Sequence, residues 1–207
     1  IWTISEGIAP KATLIKKLNA EGSTLAVGWS PDGKQIARAV AGGTKSDVRA
    51  IELWNADGTK AKTWKASDMN SVFAVRPGNI YSVSFLNPNT LYFVANGPAD
   101  KKDGGASLAG TIDIATGKDS RVAAVSDGML KAPIGAASAD GSLVAVTVTG
   151  NPETLVCSPT AGGTKVRCGS HNELPYHVGW SKDTAKPGFA WSDERHPGKT
   201  APAADVL

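Results

Sequence analysis

The chain repeats itself, and the repeat constrains the fold more than any other feature. Four segments share one pattern: a short apolar strand, an aromatic or small residue, a tight polar turn, then a second apolar strand. The first runs Leu25-Ala-Val-Gly-Trp29, Ser-Pro-Asp-Gly, then Lys34 to Val40. The second runs Tyr81-Ser-Val-Ser-Phe85, Leu-Asn-Pro-Asn, then Thr90 to Ala95. The third is Ile134-Gly-Ala-Ala137, Ser-Ala-Asp-Gly, then Ser142 to Val148, and the fourth is Tyr176-His-Val-Gly-Trp180, Ser-Lys-Asp, then Thr184 to Trp191. Trp29, Phe85, Ala137 and Trp180 share one register, at spacings of 56, 52 and 43 residues.

A second kind of hairpin lies between these units. Ile51-Glu-Leu-Trp54, Asn-Ala-Asp-Gly, Thr59 to Trp64 is the clearest copy, Thr111 to Val122 another, and Leu155 to Cys168 a third. The opening Ile1 to Gly7 followed by Lys11 to Leu18 reads as a fourth, with a longer turn. Asp-Gly suits these turns because a tight hairpin needs positive φ, which glycine adopts without a Cβ clash. With strands lettered a to d from the inside outward, the chain reads cd, abcd, abcd, abcd, ab. Strict alternation of two hairpin types at near-blade spacing predicts an all-β fold, a β-propeller of four-stranded antiparallel blades, over a two-sheet sandwich. About four blades' worth of chain is present. The opening and closing half-blades either pair into a ring of four, or the chain is an arc of a larger propeller. Residues 1–192 form the propeller or propeller segment, and 193–207 read as a polar, Pro-rich tail or linker.

Innermost strands crowd the axis of a propeller, and Gly28, Ser84, Ala136 and Gly179 are small enough for that place. Trp29, Trp54 and Trp180 are expected in the core between blades. Trp64 ends an outer strand and is expected to be exposed, where it could anchor a partner.

Trp29-Ser-Pro-Asp-Gly-Lys-Gln-Ile-Ala resembles the first-hairpin motif of TolB-type and WD-repeat-like propellers, and Leu53-Trp-Asn-Ala-Asp-Gly-Thr their second. Trp54 is followed by Asn55, so the Trp-Asp pair of true WD repeats is absent, and the TolB-like branch is the better comparison. The resemblance implies a binding scaffold, which in some members precedes a peptidase domain; it speaks to fold more than to function.

Lys and Arg number 22 against 19 Asp and Glu, a scattered net +3 that is too mild to imply nucleic acid. No apolar run approaches a membrane span of about 20 residues. The chain opens Ile-Trp-Thr-Ile-Ser, without Met or a basic stretch, and is read as an excised fragment or a processed chain. Cys157 and Cys168 flank the third of the second-type hairpins. They are either a cross-strand disulfide, which would point to a periplasmic or extracellular setting, or two reduced thiols packed as small apolar groups.

Catalytic patterns are missing. There is no Gly-x-Ser-x-Gly elbow, no P-loop and no dinucleotide fingerprint, so no catalytic residue, no metal and no cofactor is expected. In Asp32-Gly33 and Asp140-Gly141 the two residues are adjacent, which departs from the sialidase Asp-box. Asp100-Lys-Lys-Asp-Gly-Gly reads as a solvated loop or a weak cation site. Binding candidates gather at the end of the blades from which the d–a connections leave. They are Trp64, Asp68 and Arg76 on or beside the long connection Lys65–Asn79, Tyr81 at the next inner strand, and His171, Glu173, Tyr176 and His177 at the entry to the last inner strand. The expected function is a non-catalytic module that presents this loop face to a protein or peptide partner. One alternative is a propeller domain of an enzyme, peptidase-gating or hydrolytic, with its catalytic residues outside this chain or at the axis. Another is self-association through the open half-blades.

Overall fold

The computed structural model describes residues 2–4, 12–14, 18, 22–41, 49–73, 78–97, 106–126, 133–138, 140–148, 153–159, 165–170, 177–180, 188–192 and 204–205. In chain order the strands are β1 (Trp2–Ile4), β2 (Ala12–Leu14), β3 (Ser23–Trp29), β4 (Gln35–Ala41), β5 (Ala50–Asn55) and β6 (Lys60–Lys65). Then come β7 (Ile80–Asn87), β8 (Thr90–Gly97), β9 (Ala106–Asp113), β10 (Asp119–Ser126), β11 (Pro133–Ala137) and β12 (Val144–Val148). The series ends with β13 (Glu153–Cys157), β14 (Lys165–Ser170), β15 (His177–Trp180), β16 (Gly188–Ser192) and β17 (Ala204–Asp205). Among the described residues the only helix is one turn of 3-10 helix, Ala66–Asp68, so the chain is all-β.

Every pairing is antiparallel between strands consecutive in sequence. Three meanders of four strands result, β3-β4-β5-β6, β7-β8-β9-β10 and β11-β12-β13-β14, followed by the three-stranded β15-β16-β17. Each of the four-stranded sheets is an abcd unit with the strand order expected from the repeat.

The first strands of successive sheets lie together. β7 packs on β3 and β4, β11 on β7 and β8, and β15 against β11. Small residues make this approach possible. A Cβ built on Gly28 would stand 2.8 Å from the Val83 carbonyl oxygen and 3.1 Å from the Ser84 Cα, so only glycine fits between β3 and β7. Ser82 Oγ donates to the Gly135 carbonyl at 2.6 Å, joining β7 to β11.

Two apolar layers fill the spaces between sheets. The first holds Ala37, Ala39, Ile51 and Leu53 of one sheet against Ile80, Val83, Phe85, Leu91, Phe93, Leu108 and Ile112 of the next. The second holds Tyr92, Val94, Ala109 and Val122 against Val144 and Val146. β8 contributes to both layers by the alternation of its side chains, Leu91, Phe93 and Ala95 to one face and Tyr92 and Val94 to the other. That is why seven of its eight residues are buried, whereas the outer strand β6 is exposed except at Trp64. Burying a side chain such as Phe93 contributes about 1.5–3 kcal/mol, so these layers are the main cohesive term.

Several expectations are corrected. Trp29 is 49% exposed, not packed in a core. The reason is positional: the extensive neighbours of β3 among the described strands are β4 and β7, and Trp29 lies on the face turned away from β7. Trp64, expected at the surface, packs partly buried against the first apolar layer, its Nε1 3.1 Å from where a Cβ on Gly117 would stand. Trp54 is buried as expected, and the side chain of Trp180 is outside the described residues.

The disulfide reading also fails. The register pairs Cys157 with Lys165 and Cys168 with Thr154, three rungs apart on the ladder. That separates the two backbones by about 10 Å along the strands, beyond the roughly 7 Å a disulfide can bridge. The oxidising-compartment expectation loses the observation on which it was built. Ala204–Asp205 lies within the stretch expected to be a tail, yet it pairs with β16. β1 and β2 pair with each other, and among the described residues no pairing joins them to β15 or β16.

Candidate binding face

In a four-stranded meander the a–b and c–d turns leave one end of the sheet, and the b–c and d–a connections leave the other. The turn end is wired identically in two repeats. Ser30 Oγ donates to Asp32 Oδ1 at 2.7 Å, and that oxygen also accepts the Lys34 amide at 3.0 Å. In the third sheet Ser138 Oγ donates to Asp140 Oδ1 at 2.6 Å, and Asp140 accepts the Ser142 amide at 3.0 Å. The second-type hairpins use the same device: Asp57 accepts the Thr59 amide and hydroxyl, and Asp113 accepts those of Thr116.

The Ser30 hydroxyl, then the Lys34 amide, lower the Asp32 carboxyl from its usual range. The Thr116 amide and hydroxyl do the same for Asp113. The Ser138 hydroxyl, followed by the Ser142 amide and hydroxyl, lowers Asp140 to about 2. These carboxylates serve the local turn.

The opposite end carries the candidates. The long connection after β6 is folded onto the sheets, with Met69, Val72 and Phe73 buried in the first apolar layer. From there the segment crosses the second sheet to its turn end, where Asp119, the first residue of β10 after the c–d turn, accepts the Ser71 and Val72 amides at 2.8 and 3.0 Å, and Arg121 donates to the Val72 carbonyl. The loop is thereby held as a fixed surface. Asp68 is exposed on it, bonded to Ser67 Oγ at 3.1 Å.

Where the chain enters β7, four polar side chains meet. Arg49 Nε donates to Asn79 Oδ1 at 3.0 Å, the Asn79 amide donates to Asn96 Oδ1 at 2.8 Å, and Asn96 Nδ2 donates to Tyr81 Oη at 3.4 Å. The Asn96 amide returns a bond to the Asn79 carbonyl at 3.0 Å. Gly78 is required here: its Cβ would fall 1.3 Å from the Asn96 carbonyl oxygen. The cluster links the b–c end of one sheet (Arg49) to the d–a entry of the next (Asn79, Tyr81). A fixed mixture of amide, phenol and guanidinium groups can donate to and accept from a peptide backbone; it offers no nucleophile–base pair.

Of the residues singled out from sequence, Tyr81 belongs to this cluster and Asp68 lies on the adjoining loop. Trp64 is turned into the interface between the first two four-stranded sheets instead. His177 begins β15 opposite Ser192, two sheets away from Tyr81. Arg76, His171, Glu173 and Tyr176 lie outside the described residues, as does the loop from Asp100 to Gly105. Among the described residues no three His, Cys, Asp or Glu side chains gather as metal ligands would. No helix among them is long and apolar enough to cross a membrane.

Sequence reasoning missed Arg49, Asn79 and Asn96, which carry no motif and gain meaning only where b–c and d–a connections meet. It also missed a buried ion pair, Arg38 Nη1 to Glu52 Oε2 at 2.9 Å. A signal for that pair existed: opposite charges at facing positions in the middle of two apolar strands.

No family model matches the chain, and no curated protein does. Among solved structures 493 chains match, a breadth that fits a widely reused scaffold. One is described as "Complex of KlAtg21 with coiled-coil of AgAtg16"; it is 13% identical, with a TM-score of 0.56, and the match covers 90% of this chain and 52% of that one. This chain therefore spans about half the length of that solved chain, and at this identity the likeness is one of fold.

Proposed function

We propose that the chain is a β-propeller segment of the TolB-like branch, a non-catalytic module that binds a protein partner on the end formed by its b–c and d–a connections. The observation that carries the reading is the stacking of successive four-stranded meanders through their first strands, β3, β7 and β11, with a fixed polar cluster at one end of that stack. Blades radiating from an axis pack in series like this, a middle blade covered on both faces, whereas a sandwich has two sheets, each covered on one face only. Cohesion comes from the apolar layers, so the polar groups at the loop end are not needed to hold the sheets together and can recognise a ligand. Because Asn79, Asn96 and the loop bearing Asp68 are already held, little ordering entropy is lost on binding. The solved neighbour is a complex with a coiled coil, which favours a helical protein segment as the partner class.

The test uses the wild-type chain and a Tyr81→Ala, Asp68→Ala variant as paired baits against extract from the native source. The expected result is a partner enriched on wild type and lost on the variant at unchanged melting temperature, with direct binding reproduced by the purified partner. A partner that binds both baits equally would move the site elsewhere and overturn this assignment.

A further inference from the structure

The direction of each hydrogen bond in the polar cluster at the entry to β7 is fixed by chemistry. A guanidinium has no acceptor, so the Asn79 atom 3.0 Å from Arg49 Nε is Oδ1, and Asn79 Nδ2 is the arm turned from it. A main-chain N–H only donates, so the Asn96 atom 2.8 Å from the Asn79 amide is Oδ1, and Asn96 Nδ2 is the arm that meets Tyr81. An amide nitrogen does not accept, so Tyr81 Oη presents a lone pair to it at 3.4 Å and its own hydrogen is directed elsewhere. The Asn79 carbonyl takes the Asn96 amide at 3.0 Å.

What is left to meet a ligand is lopsided. Asn79 Oδ1, Asn96 Oδ1, Tyr81 Oη and the Asn79 carbonyl each already take a bond. The Tyr81 hydroxyl hydrogen, the Asn79 Nδ2 hydrogens and the second hydrogen of Asn96 Nδ2 have no partner among the described residues. Arg49, Asn79 and Tyr81 are half-buried and Asn96 is buried, so these donors are held in place.

The backbone places Tyr81 for this task. The register pairs Ile80 with Ala95 and Ser82 with Val94, so Tyr81 is the extra residue of a bulge in β7. A bulge re-aims a side chain out of the strand's alternation. Ile80 is buried in the first apolar layer and Ser82 bonds Gly135 towards the next sheet, whereas the phenol of Tyr81 is brought to Asn96.

An acceptor-only group answers such a set of donors, and among protein side chains that group is the ionised carboxylate. Hydrogen bonds to an ionised acceptor are also about twice as strong as neutral ones. We infer that the cluster is a carboxylate site. Tyr81 Oη and the Nδ2 groups of Asn79 and Asn96 donate to the oxygens of an acidic residue of the partner, while Arg49 holds Asn79 in its donating orientation. A neutral amide in the same place would set its own N–H hydrogens against those donors. The inference rests on the reading of the b–c and d–a end as the binding face, and names the chemistry that this face recognises.

The probes are helical peptides of one alanine-based sequence. One carries glutamates and an amidated C-terminus; others carry glutamine or lysine in their place, and the last is the glutamine peptide with a free C-terminal carboxylate. Binding is read from the side-chain amide resonances of Asn79 and Asn96 in isotope-labelled wild type and Tyr81→Phe, at millimolar peptide. The glutamate peptide is expected to move these resonances, and the amidated glutamine and lysine peptides to leave them in place. Tyr81→Phe loses only the hydroxyl and is expected to bind the glutamate peptide about tenfold more weakly at unchanged melting temperature. Movement with the free-acid peptide alone keeps the carboxylate and makes a chain terminus its source. The assignment is overturned if the amidated glutamine or the lysine peptide binds as well as the glutamate one, or if inorganic phosphate binds better than either acid. It is equally overturned if no acid moves the resonances, or if Tyr81→Phe binds as wild type does. Those results remove the ligand chemistry alone, since the face still stands on a partner captured by wild type and lost from the Tyr81→Ala, Asp68→Ala variant. A glutamate peptide that moves only resonances away from β7 and β8 removes the face as well.

Discussion

Truncating Glu52 to alanine should destabilise the chain far more than any exposed charge does, and the structure supplies the magnitude. Glu52 accepts three bonds: from Arg38 Nη1 at 2.9 Å, from Lys60 Nζ at 2.8 Å and from Trp54 Nε1 at 3.0 Å. The Arg38 and Glu52 side chains are 4% and 9% exposed, whereas Lys60 is 43% exposed. Without the carboxylate, Arg38 keeps its bonds to Thr24 Oγ1 and the Gly22 carbonyl but loses its counter-charge in a buried place.

Breaking a buried pair from one side costs about 3–5 kcal/mol. In a chain of this size that lowers the melting temperature by roughly 6–20 °C. Lys60→Ala should cost less than about 1 kcal/mol, since solvent screens that partner. Arg38→Met combined with Glu52→Leu should recover most of the loss, because two apolar side chains leave no charge unpaired. Guanidinium denaturation of the four proteins, with equal m-values, measures all three quantities. A Glu52→Ala cost below about 1 kcal/mol, or a double variant as unstable as the single, would refute the reasoning.

The same carboxylate carries a pH signature. Burial pushes it up, but the bonds from Lys60, Arg38 and Trp54 outweigh this and leave it below its usual 4.5. Its folded value lies under its unfolded value. Its contribution is therefore complete above about 4.5 and is lost as the pH falls through the folded value.

The remaining predictions concern the exposed Trp29, the turns and the cysteines. Trp29→Ala should change stability by no more than about 0.5 kcal/mol, whereas Phe93→Ala in the first apolar layer should cost about 3–5 kcal/mol; equal losses in a denaturation series would place Trp29 back in a core. Asp140→Asn should narrow its stability gap from wild type as the pH drops from about 4 to 2, because the native carboxyl is held at about 2 and its contribution disappears across that window; a gap that does not change with acid would mean the turn bonds contribute nothing. Thiol titration of the denatured chain without reductant should find both Cys157 and Cys168 free, and an intact mass lower by two hydrogens would show that the register allows a bond after all.

Much of the fold was legible in the primary structure, because turns and alternation are local. Asp-Gly at Asp32, Asp57 and Asp140 marks a tight hairpin turn, and the recurrence of two hairpin types foretold the three meanders. Facing and burial were not legible. Trp29 and Trp64 are equally apolar, and their expected places came out exchanged. Which face of a strand is covered depends on the sheet packed against it, and residues far away in sequence supply that sheet. The cysteine pair failed for a related reason. A hairpin's register depends on turn length and bulges, and a bulge such as that at Glu153 and Thr154 is not written in strand propensity. The polar cluster of Arg49, Asn79, Tyr81 and Asn96 was beyond local reading altogether.

The amino-acid sequence by itself determined the repeating unit, its strand order and the chemistry of its turns, since each depends on residues a few positions apart. Only the tertiary structure decided which apolar side chains are core and which lie open, where two opposite charges meet in a buried place, and which polar groups of different sheets converge. The buried charge pair is set by the register of two adjacent strands, whereas the burial of the apolar side chains and the polar cluster come from contacts between sheets about 50 residues apart in the chain, the spacing of the repeat, and no local pattern encodes a partner that distant.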